Sequence, residues 1–240
     1  INAVNDAPSF DAIANQVVNE DASSQNVMIT SISPGPSDEA AQSIISKSAT
    51  SSNTALIPNP SITGTGATAT LTYQPMADAS GSATITVTVQ DDGGTANSGS
   101  DTRTRTFTIT VNAVNDAPIV TVTSPNGGEF WKGEHAVTWS ATDADNDVLT
   151  IDVQYSANNG VDWTHISFPP NTGSYGVDTT LLAGDSSQYL IRVIASDGTN
   201  TVQDDSDAVF TVDNTAPETG NDYLDKNNTW QNTVQTMTLT

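Results

Sequence analysis

The stretch Asn112-Ala-Val-Asn-Asp-Ala-Pro118 occurs twice in this chain of 240 residues, the other copy being Asn2-Ala-Val-Asn-Asp-Ala-Pro8. The two copies begin 110 residues apart, a period that suits one β-sandwich module for each copy. Each copy ends in Ala-Pro, which disfavours helix and therefore predicts an extended joint. Its Asn-Asp pair supplies oxygen atoms at the point where two modules would meet. The repeat therefore predicts tandem sandwiches with oxygen-rich joints.

The composition is acidic without being highly charged. Asp and Glu number 28 against 6 Lys and Arg, which gives a formal charge of −22 at pH 7. Because such a charge repels nucleic acid and anionic membrane surfaces, we expect neither as a partner. Charged residues are only 14% of the chain, which is otherwise rich in uncharged polar and β-prone residues. This composition is typical of a folded β protein and differs from that of an acidic disordered tail.

Cysteine is absent from the sequence, so neither a disulfide nor a thiolate ligand or nucleophile can form. Surface repeats of bacteria and archaea commonly lack cystines, and we expect this chain to come from such a protein. No apolar run has the length of a membrane span, so we expect no direct membrane insertion. Because the first residues already have the character of a joint, we expect a piece of a longer chain.

Period-two alternation predicts strands throughout residues 9–111. It is clearest at 83–89 and 104–111, where threonine alternates with larger apolar residues. Shorter strands are predicted at 16–19, 27–32 and 69–73, and residues 38–45 fit either a helical turn or a bulged strand. The alternation of the two clear strands predicts that the following side chains point inward: Ile85, Val87, Val89, Phe107, Ile109 and Val111.

Residues 119–212 have the same strand-rich character. Strands are predicted at 119–123, 135–141, 149–155, 163–166, 189–195 and 208–212. Strands this short, without helices between them, predict a second sandwich. Trp139 and Trp163 are expected in or beside its core, and His135 and His165 are expected as single strand residues without a ligand or base role.

The chain is therefore predicted to be all-β, with tandem β-sandwiches arranged end to end. The predicted segments are a linker from a preceding module at 1–8, a sandwich at 9–114, a linker at 115–118, a second sandwich at 119–213, and the start of a truncated third module at 214–240. Residues 235–240 alternate like a strand with no partner in the chain. Such an edge predicts strand addition to a neighbouring molecule, or is left over from truncation.

Five phrases of residues 1–118 resemble the cadherin-like and Ig-like tandem repeats of large secreted bacterial surface proteins. They are Val18-Asn-Glu-Asp21, Ile32-Ser-Pro-Gly-Pro-Ser-Asp-Glu39, Gly81-Ser-Ala-Thr-Ile-Thr-Val87, Asp91-Asp-Gly-Gly-Thr95 and Val111-Asn-Ala-Val-Asn-Asp-Ala-Pro118. Residues 119–212 are similar to fibronectin type III or cadherin-like repeats, and the tail resembles the opening of another bacterial Ig-like repeat. The resemblance implies an extracellular or cell-surface array.

The resemblance to cadherins also implies calcium at the joint, because calcium takes six to eight oxygen ligands from carboxylates, amides and carbonyls. In cadherins these oxygen ligands come from five places: a Glu early in the first module, an acidic pair, the linker, an Asp-x-Asp of the second module and a last Asp. The implied ligands are Glu20 or Asp21, Asp91, Asp92, Asn115, Asp116, Asp143, Asp145 and Asp197. The spacing of Asp91 and Asp92 departs from the cadherin pair. The first module lacks the Asp-x-Asp, so its upstream joint at Asn5 and Asp6 is expected to bind differently.

The same acidic pairs have a second interpretation. Asp-Gly, Asn-Asp and Asp-Ala-Asp are favoured in turns, where their side chains hydrogen-bond to nearby backbone. The sequence leaves both interpretations open at each pair. The set around Asn115 favours calcium, because carboxylates that converge without Lys or Arg repel one another.

No catalytic motif is present: there is no G-x-S-x-G, no H-E-x-x-H and no phosphate-binding glycine loop. We therefore expect no enzyme. The predicted function is a non-catalytic segment of an adhesin or stalk whose joints calcium makes rigid. Its expected partners are neighbouring repeats of the chain and, beyond them, other cells, surface glycans or like subunits. Two alternatives stay open: a filament subunit joined by strand exchange through its C-terminal strand, and an accessory or spacer module of a secreted polysaccharide-degrading enzyme.

Overall fold

A computed structural model of the chain describes residues 4–215. The chain divides into two compact units, Ile1–Asp116 and Ala117–Thr240, and the division falls inside the predicted linker 115–118. Residues 4–215 form strands and three short 3-10 segments, so the all-β prediction is confirmed. The same residues contain no helix with the length and apolar character of a membrane span. The predicted strand 235–240 and almost all of the predicted third module lie outside the described residues.

Within residues 4–116 the first unit contains seven strands in two sheets. They are β1 (Gln16–Asn19), β2 (Gln25–Ile29), β3 (Ile44–Ser51), β4 (Ser61–Thr63), β5 (Ala69–Tyr73), β6 (Gly81–Asp91) and β7 (Thr102–Asn112), with 3-10 segments at Ser37–Glu39 and Ala96–Ser98. One sheet has the order β1-β7-β6-β3 and the other β2-β5-β4. Strand β1 runs parallel to β7, and the other pairs are antiparallel.

The core of the first unit follows from the alternation of its two longest strands. Ile85, Val87 and Val89 of β6 have no exposed surface, and the predicted inward set of β7 is buried with them. Threonines occupy the intervening positions and face away from the core. Each fully buried aliphatic side chain contributes roughly 1.5–3 kcal/mol. The predicted inward-facing residues are confirmed.

Within residues 117–215 the second unit contains nine strands. They are β8 (Ile119–Ser124), β9 (Phe130–Trp131), β10 (Glu134–Thr142), β11 (Thr150–Ser156), β12 (Thr164–Ser167), β13 (Ser174–Asp178), β14 (Ser186–Ser196), β15 (Thr201–Asp205) and β16 (Phe210–Val212), with a 3-10 segment at Thr179–Leu181. One sheet has the order β13-β10-β8. The other has the order β12-β11-β14-β16-β9, and β15 also pairs with β14.

Two aromatic side chains of the second core keep their polar ends satisfied, as buried Trp and Tyr usually do. Trp139 is 4% exposed, and its indole N–H donates to Asn171 Oδ1 at 3.0 Å. The Tyr189 hydroxyl donates to the Gly184 carbonyl at 2.7 Å. Trp163 is half-buried, with the Arg192 guanidinium 3.8 Å from its ring centre. Trp139 therefore lies in the core, as the sequence predicts, whereas Trp163 is half-buried under Arg192.

The turn before β9 depends on the Glu129 carboxylate. Partial burial tends to raise the pKa of this group, but the N–H groups of Asn126 and Gly127, donating at 2.7 and 2.8 Å, lower it below its ordinary value. Gly127 has a φ of +126° and packs against Ala208, so this position requires glycine. The charged carboxylate thus holds two backbone donors of a tight turn.

Replacing Glu129 with glutamine is expected to destabilise the second unit by about 1 kcal/mol at pH 7, because an amide oxygen replaces a charged acceptor. Since the folded pKa is depressed, the advantage of the wild type is present above the ordinary pKa of 4.5 and is lost as the pH falls through the lower folded value. Urea denaturation of both proteins between pH 7 and pH 3 measures this. A difference that is constant across the range would contradict the charge-based explanation.

Candidate metal centre

The Glu20 side chain is buried at the entry to the linker. It follows β1 directly and is only 2% exposed. Its backbone N–H donates to the Asn112 carbonyl at 3.1 Å, and its Oε1 accepts the N–H of Val114 at 2.7 Å. Because β1 pairs with β7 up to Asn19 and Asn112, these bonds continue the sheet into the linker. Asp21, the alternative to Glu20, is exposed in the adjoining turn.

Asp116 lies beside Glu20. A carboxylate oxygen of each lies within 4.8 Å of one of the other, and Asp116 is half-buried. The Asn115 side-chain amide donates to the Asp116 carbonyl at 2.9 Å. The first unit therefore brings together Glu20, Asn115 and Asp116 of the predicted ligands. Two carboxylates this close favour a cation between them.

Asp91 and Asp92 do not lie in this group, and their predicted place beside Glu20 is wrong. Both lie at the end of β6 that pairs with Thr102, whereas Gly81 at its other end pairs with Val111. A strand of 11 residues spans roughly 35 Å, so the two ends of β6 cannot share one ion. Asp91 instead accepts a hydrogen bond from Asn5, and Asp92 Oδ1 accepts one from the N–H of Ser43 at 2.9 Å.

In the second unit the loop after β10 gathers three carboxylates. Oxygens of Asp143, Asp145 and Asp147 all lie within 4.8 Å of one another. Asp143 Oδ1 accepts the N–H groups of Asp145 and Asp147 at 3.0 and 3.2 Å, while its Oδ2 is buried without a hydrogen-bond partner. Asn146 adopts a φ of +62°, which closes the loop. Asp147 is missing from the predicted ligands, although the alternate spacing of the three Asp residues was visible in the sequence.

Asp197 lies at the same end of the second unit as this loop, since its neighbour Ser196 pairs with Thr150. Its Oδ1 accepts the N–H groups of Thr199 and Asn200 at 2.6 and 2.5 Å. This is the turn-forming bonding that the alternative interpretation predicts. These two hydrogen bonds involve Oδ1 and not Oδ2, so they do not decide whether Asp197 is a ligand. Its ligand role stays a prediction.

Basic side chains lie against other carboxylates. Within residues 4–215 Arg192 forms an ion pair with Asp205 at 2.6 Å, and His165 Nδ1 lies 2.6 Å from Asp152 Oδ1. Both lie on β11, β12, β14 and β15, and neither includes Glu20, Asp143 or Asp147. His165 is thus placed by a carboxylate on a neighbouring strand. Glu20, Asp143 and Asp147 have no such partner among residues 4–215, and their carboxylate oxygens suit a hard cation.

No protein-family model matches the chain. No curated protein sequence matches it either. Solved structures match at low identity. Titin domains Z1Z2, solved in complex with telethonin, are 14% identical, with 89% of this chain and 100% of that chain covered and a TM-score of 0.35. Extracellular domains 3–5 of Drosophila OTK are 12% identical, with 85% and 61% covered and a TM-score of 0.35.

The FN1–FN3 domains of chicken CNTN1 are 12% identical, with 85% of this chain and 68% of that chain covered and a TM-score of 0.37. All of these are similar to the chain in fold alone, and at this level they carry nothing about function. The strand pairing described above places both units among the Ig-like and fibronectin-type β-sandwiches.

Proposed function

We propose that the chain is a non-catalytic segment of an extracellular repeat protein, an adhesin or stalk, whose joint at Asn115 and Asp116 is made rigid by calcium. The observation that carries the proposal is the Glu20 carboxylate, which is 2% exposed and lies within 4.8 Å of the Asp116 carboxylate. Burying a carboxylate is costly unless a positive charge accompanies it. No Lys, Arg or His pairs with Glu20 within residues 4–215. A divalent cation supplies that charge.

The ligand chemistry favours calcium among the divalent cations. Glu20, Asp116 and the three Asp residues of the loop after β10 offer only oxygen donors, and cysteine is absent. Zinc prefers nitrogen and sulfur ligands, and magnesium keeps most of its water shell, whereas calcium accepts many carboxylate and carbonyl oxygens. The Asp143 Oδ2 atom, buried without a hydrogen-bond partner, supports the same assignment for the second unit. A bound ion orders its ligands and so stiffens a linker.

A spacer or adhesive role agrees with the rest of the described surface. Trp131 and Trp139 are buried, and Arg192 covers Trp163. Among residues 4–215 the tryptophans therefore offer no coplanar exposed platform for a sugar, which counts against the carbohydrate-binding alternative. Trp230 and the strand at 235–240, on which the filament alternative depends, lie outside the described residues. We place the protein outside the cell or on its surface, in a bacterium or archaeon, with neighbouring repeats as its first partners.

Calcium at about 100 times its dissociation constant is expected to stabilise the chain by about 2.7 kcal/mol per site, because it binds the folded form alone. For a unit of about 100 residues this corresponds to a rise in Tm of roughly 10–20 °C. Calorimetric melts in calcium and in excess EGTA measure the rise, and small-angle scattering of the same samples should show more bending in EGTA. Magnesium at equal concentration is the control and should give a smaller rise. Superimposable melts in calcium and EGTA would rule the proposal out.

A further inference from the structure

Four buried oxygen atoms near the C-terminal end of β6 accept no hydrogen bond: Asn5 Oδ1, Glu39 Oε2, Gln42 Oε1 and Asp91 Oδ2. Asn5, Glu39 and Asp91 are themselves only 9%, 8% and 1% exposed. Buried polar atoms in folded proteins are almost always bonded, so a group of four calls for an explanation. Hydrogen bonds among these residues place them together at the end of the unit where β6 finishes, and this set is called the Asn5 cluster below.

The hydrogen bonds of Asn5 and Asp91 determine which oxygen of each side chain accepts no hydrogen bond. The Asn5 amide nitrogen donates to Asp91 Oδ1 at 3.1 Å and to the Ser100 carbonyl at 2.8 Å, which uses both of its protons. Asp91 Oδ1 also accepts the N–H of Gly93 at 2.9 Å. One end of each side chain is therefore fully bonded. The opposite oxygens are held in place as acceptors, in the way that hydrogen bonds to the far side of a metal ligand fix its orientation.

Glu39 and Gln42 join the cluster through the turn after β2. Glu39 Oε1 accepts the N–H of Asp6, the residue next to Asn5, at 2.8 Å. The Glu39 carbonyl accepts the N–H of Gln42 at 2.9 Å, at the end of the 3-10 segment Ser37–Glu39. Ser43, which follows Gln42, pairs with Asp92 beside Asp91. The turn thus brings one more carboxylate oxygen and one more amide oxygen to the end of β6.

The surroundings of Gly93 show that the side-chain amide oxygens of Asn5 and Gln42 face the same point. A Cβ atom added to Gly93 would collide with Asn5 Oδ1 and contact Gln42 Oε1 at 2.7 Å. Both oxygens therefore face the same small volume, which only a glycine leaves open. Gly93 does not have a positive φ, so the reason for glycine here is the approach of these oxygens and not the backbone conformation.

We propose that the Asn5 cluster is a calcium site of the first unit, with Asn5, Glu39, Gln42 and Asp91 as its ligands. Two carboxylates supply two negative charges, and within residues 4–215 neither belongs to an ion pair. Protonating one carboxyl would add a single donor for four acceptors, whereas one cation bonds all four. Four protein oxygens, two of them from amides, suit calcium better than magnesium, which keeps more of its water.

This site is independent of the proposed joint. Asp91 and Glu20 lie at opposite ends of the same sheet, since β6 reaches Asp91 at the end that pairs with Thr102 and β1 reaches Glu20 at the end that pairs with Asn112. The two sites share no residue. Either can fail in an experiment while the other stands.

Isothermal titration of the whole chain with calcium, in a background of magnesium, tests the site. Asp91→Asn and Gln42→Met should each weaken one class of site by at least about 100-fold, because each removes a ligand oxygen. Asp38→Asn, which neutralises an exposed carboxylate next to Glu39, is the matched control and should leave the titration unchanged. Glu20→Gln should remove a different class of site. If the Asp91→Asn and Gln42→Met titrations superimpose on the wild type, the Asn5 cluster is not a calcium site.

Calorimetric melts of the same variants separate a ligand role from a merely structural one. In EGTA, Asp91→Asn should melt at the same temperature as the wild type or higher, because it removes a buried charge and its new amide N–H groups face unpaired acceptors. In calcium the order should reverse, with the wild type melting higher. A variant that melts lower than the wild type by the same amount in both buffers would overturn the proposal. Gln42→Met, at a half-buried position, decides the matter if Asp91→Asn does not fold.

Discussion

Replacing Ile191 with alanine is expected to destabilise the second unit by about 2–5 kcal/mol, the range for a buried Ile-to-Ala change. Ile191 has no exposed surface and lies on β14, which pairs with β11, β15 and β16. The loss combines the lost burial of three side-chain carbons with the cavity left in the core. Since each unit has its own core, we expect the first unit to keep its stability.

The distribution of tryptophan makes this effect measurable for the second unit alone. No tryptophan occurs in residues 1–116, whereas Trp131, Trp139 and Trp163 lie in the second unit, so tryptophan fluorescence during urea unfolding follows the second unit and not the first. Ile119→Ala is the matched control, because Ile119 lies in the same unit and is 69% exposed. We expect the control to change stability by less than about 1 kcal/mol. Equal effects of the two substitutions would mean that Ile191 is not in a packed core.

The strands that could be predicted from the sequence are those with regular alternation. β6 and β7 carry threonine at every second position and so reveal both their period and their inward face. β3 and β13 could not be predicted in this way. The register of β3 shifts between Ile44 and Ser46, which breaks the period of two, and β13 carries Gly176 in its middle. Residues 38–45, predicted as a helical turn or a bulged strand, contain both: a 3-10 segment that ends at Glu39 and a strand with a register shift.

The candidate ligands likewise divide into those that the sequence could bring together and those that it could not. Glu20, Asn115 and Asp116 could be brought together because β1 is parallel to β7 and delivers Glu20 to the linker. The resemblance to cadherins groups Asp91 and Asp92 with them, although the spacing of these two residues departs from the cadherin pair. Only the strand directions show that β6 carries them to the opposite end. Glu39 and Gln42 could not be found as ligands, because their role depends on a turn between strands that do not alternate regularly.

The Glu20 carboxylate has two proposed roles, to accept the Val114 N–H and to bind calcium, and two substitutions of Glu20 are expected to separate them. Glu20→Gln keeps an oxygen for the Val114 N–H and removes the charge, so in EGTA its stability should equal that of the wild type or exceed it. In calcium it should lose most of the roughly 2.7 kcal/mol that binding at 100 times the dissociation constant provides. Glu20→Ala also leaves the Val114 N–H without its acceptor and opens a cavity, which adds a loss of about 2 kcal/mol in both buffers.

Calorimetric melts of both variants in an Asp91→Asn background isolate the joint, because that background removes the calcium contribution proposed for the Asn5 cluster. Asp21→Asn, an exposed carboxylate next to Glu20, is the matched control and should retain the full gain from calcium. If Glu20→Gln retains that gain as well, the carboxylate serves only to hold the linker to β1. The result expected from calcium binding is specific: two variants of one side chain that differ in EGTA and have both lost the stabilisation of the first unit by calcium. A hydrogen-bonding role alone gives the difference between Gln and Ala without any dependence on calcium.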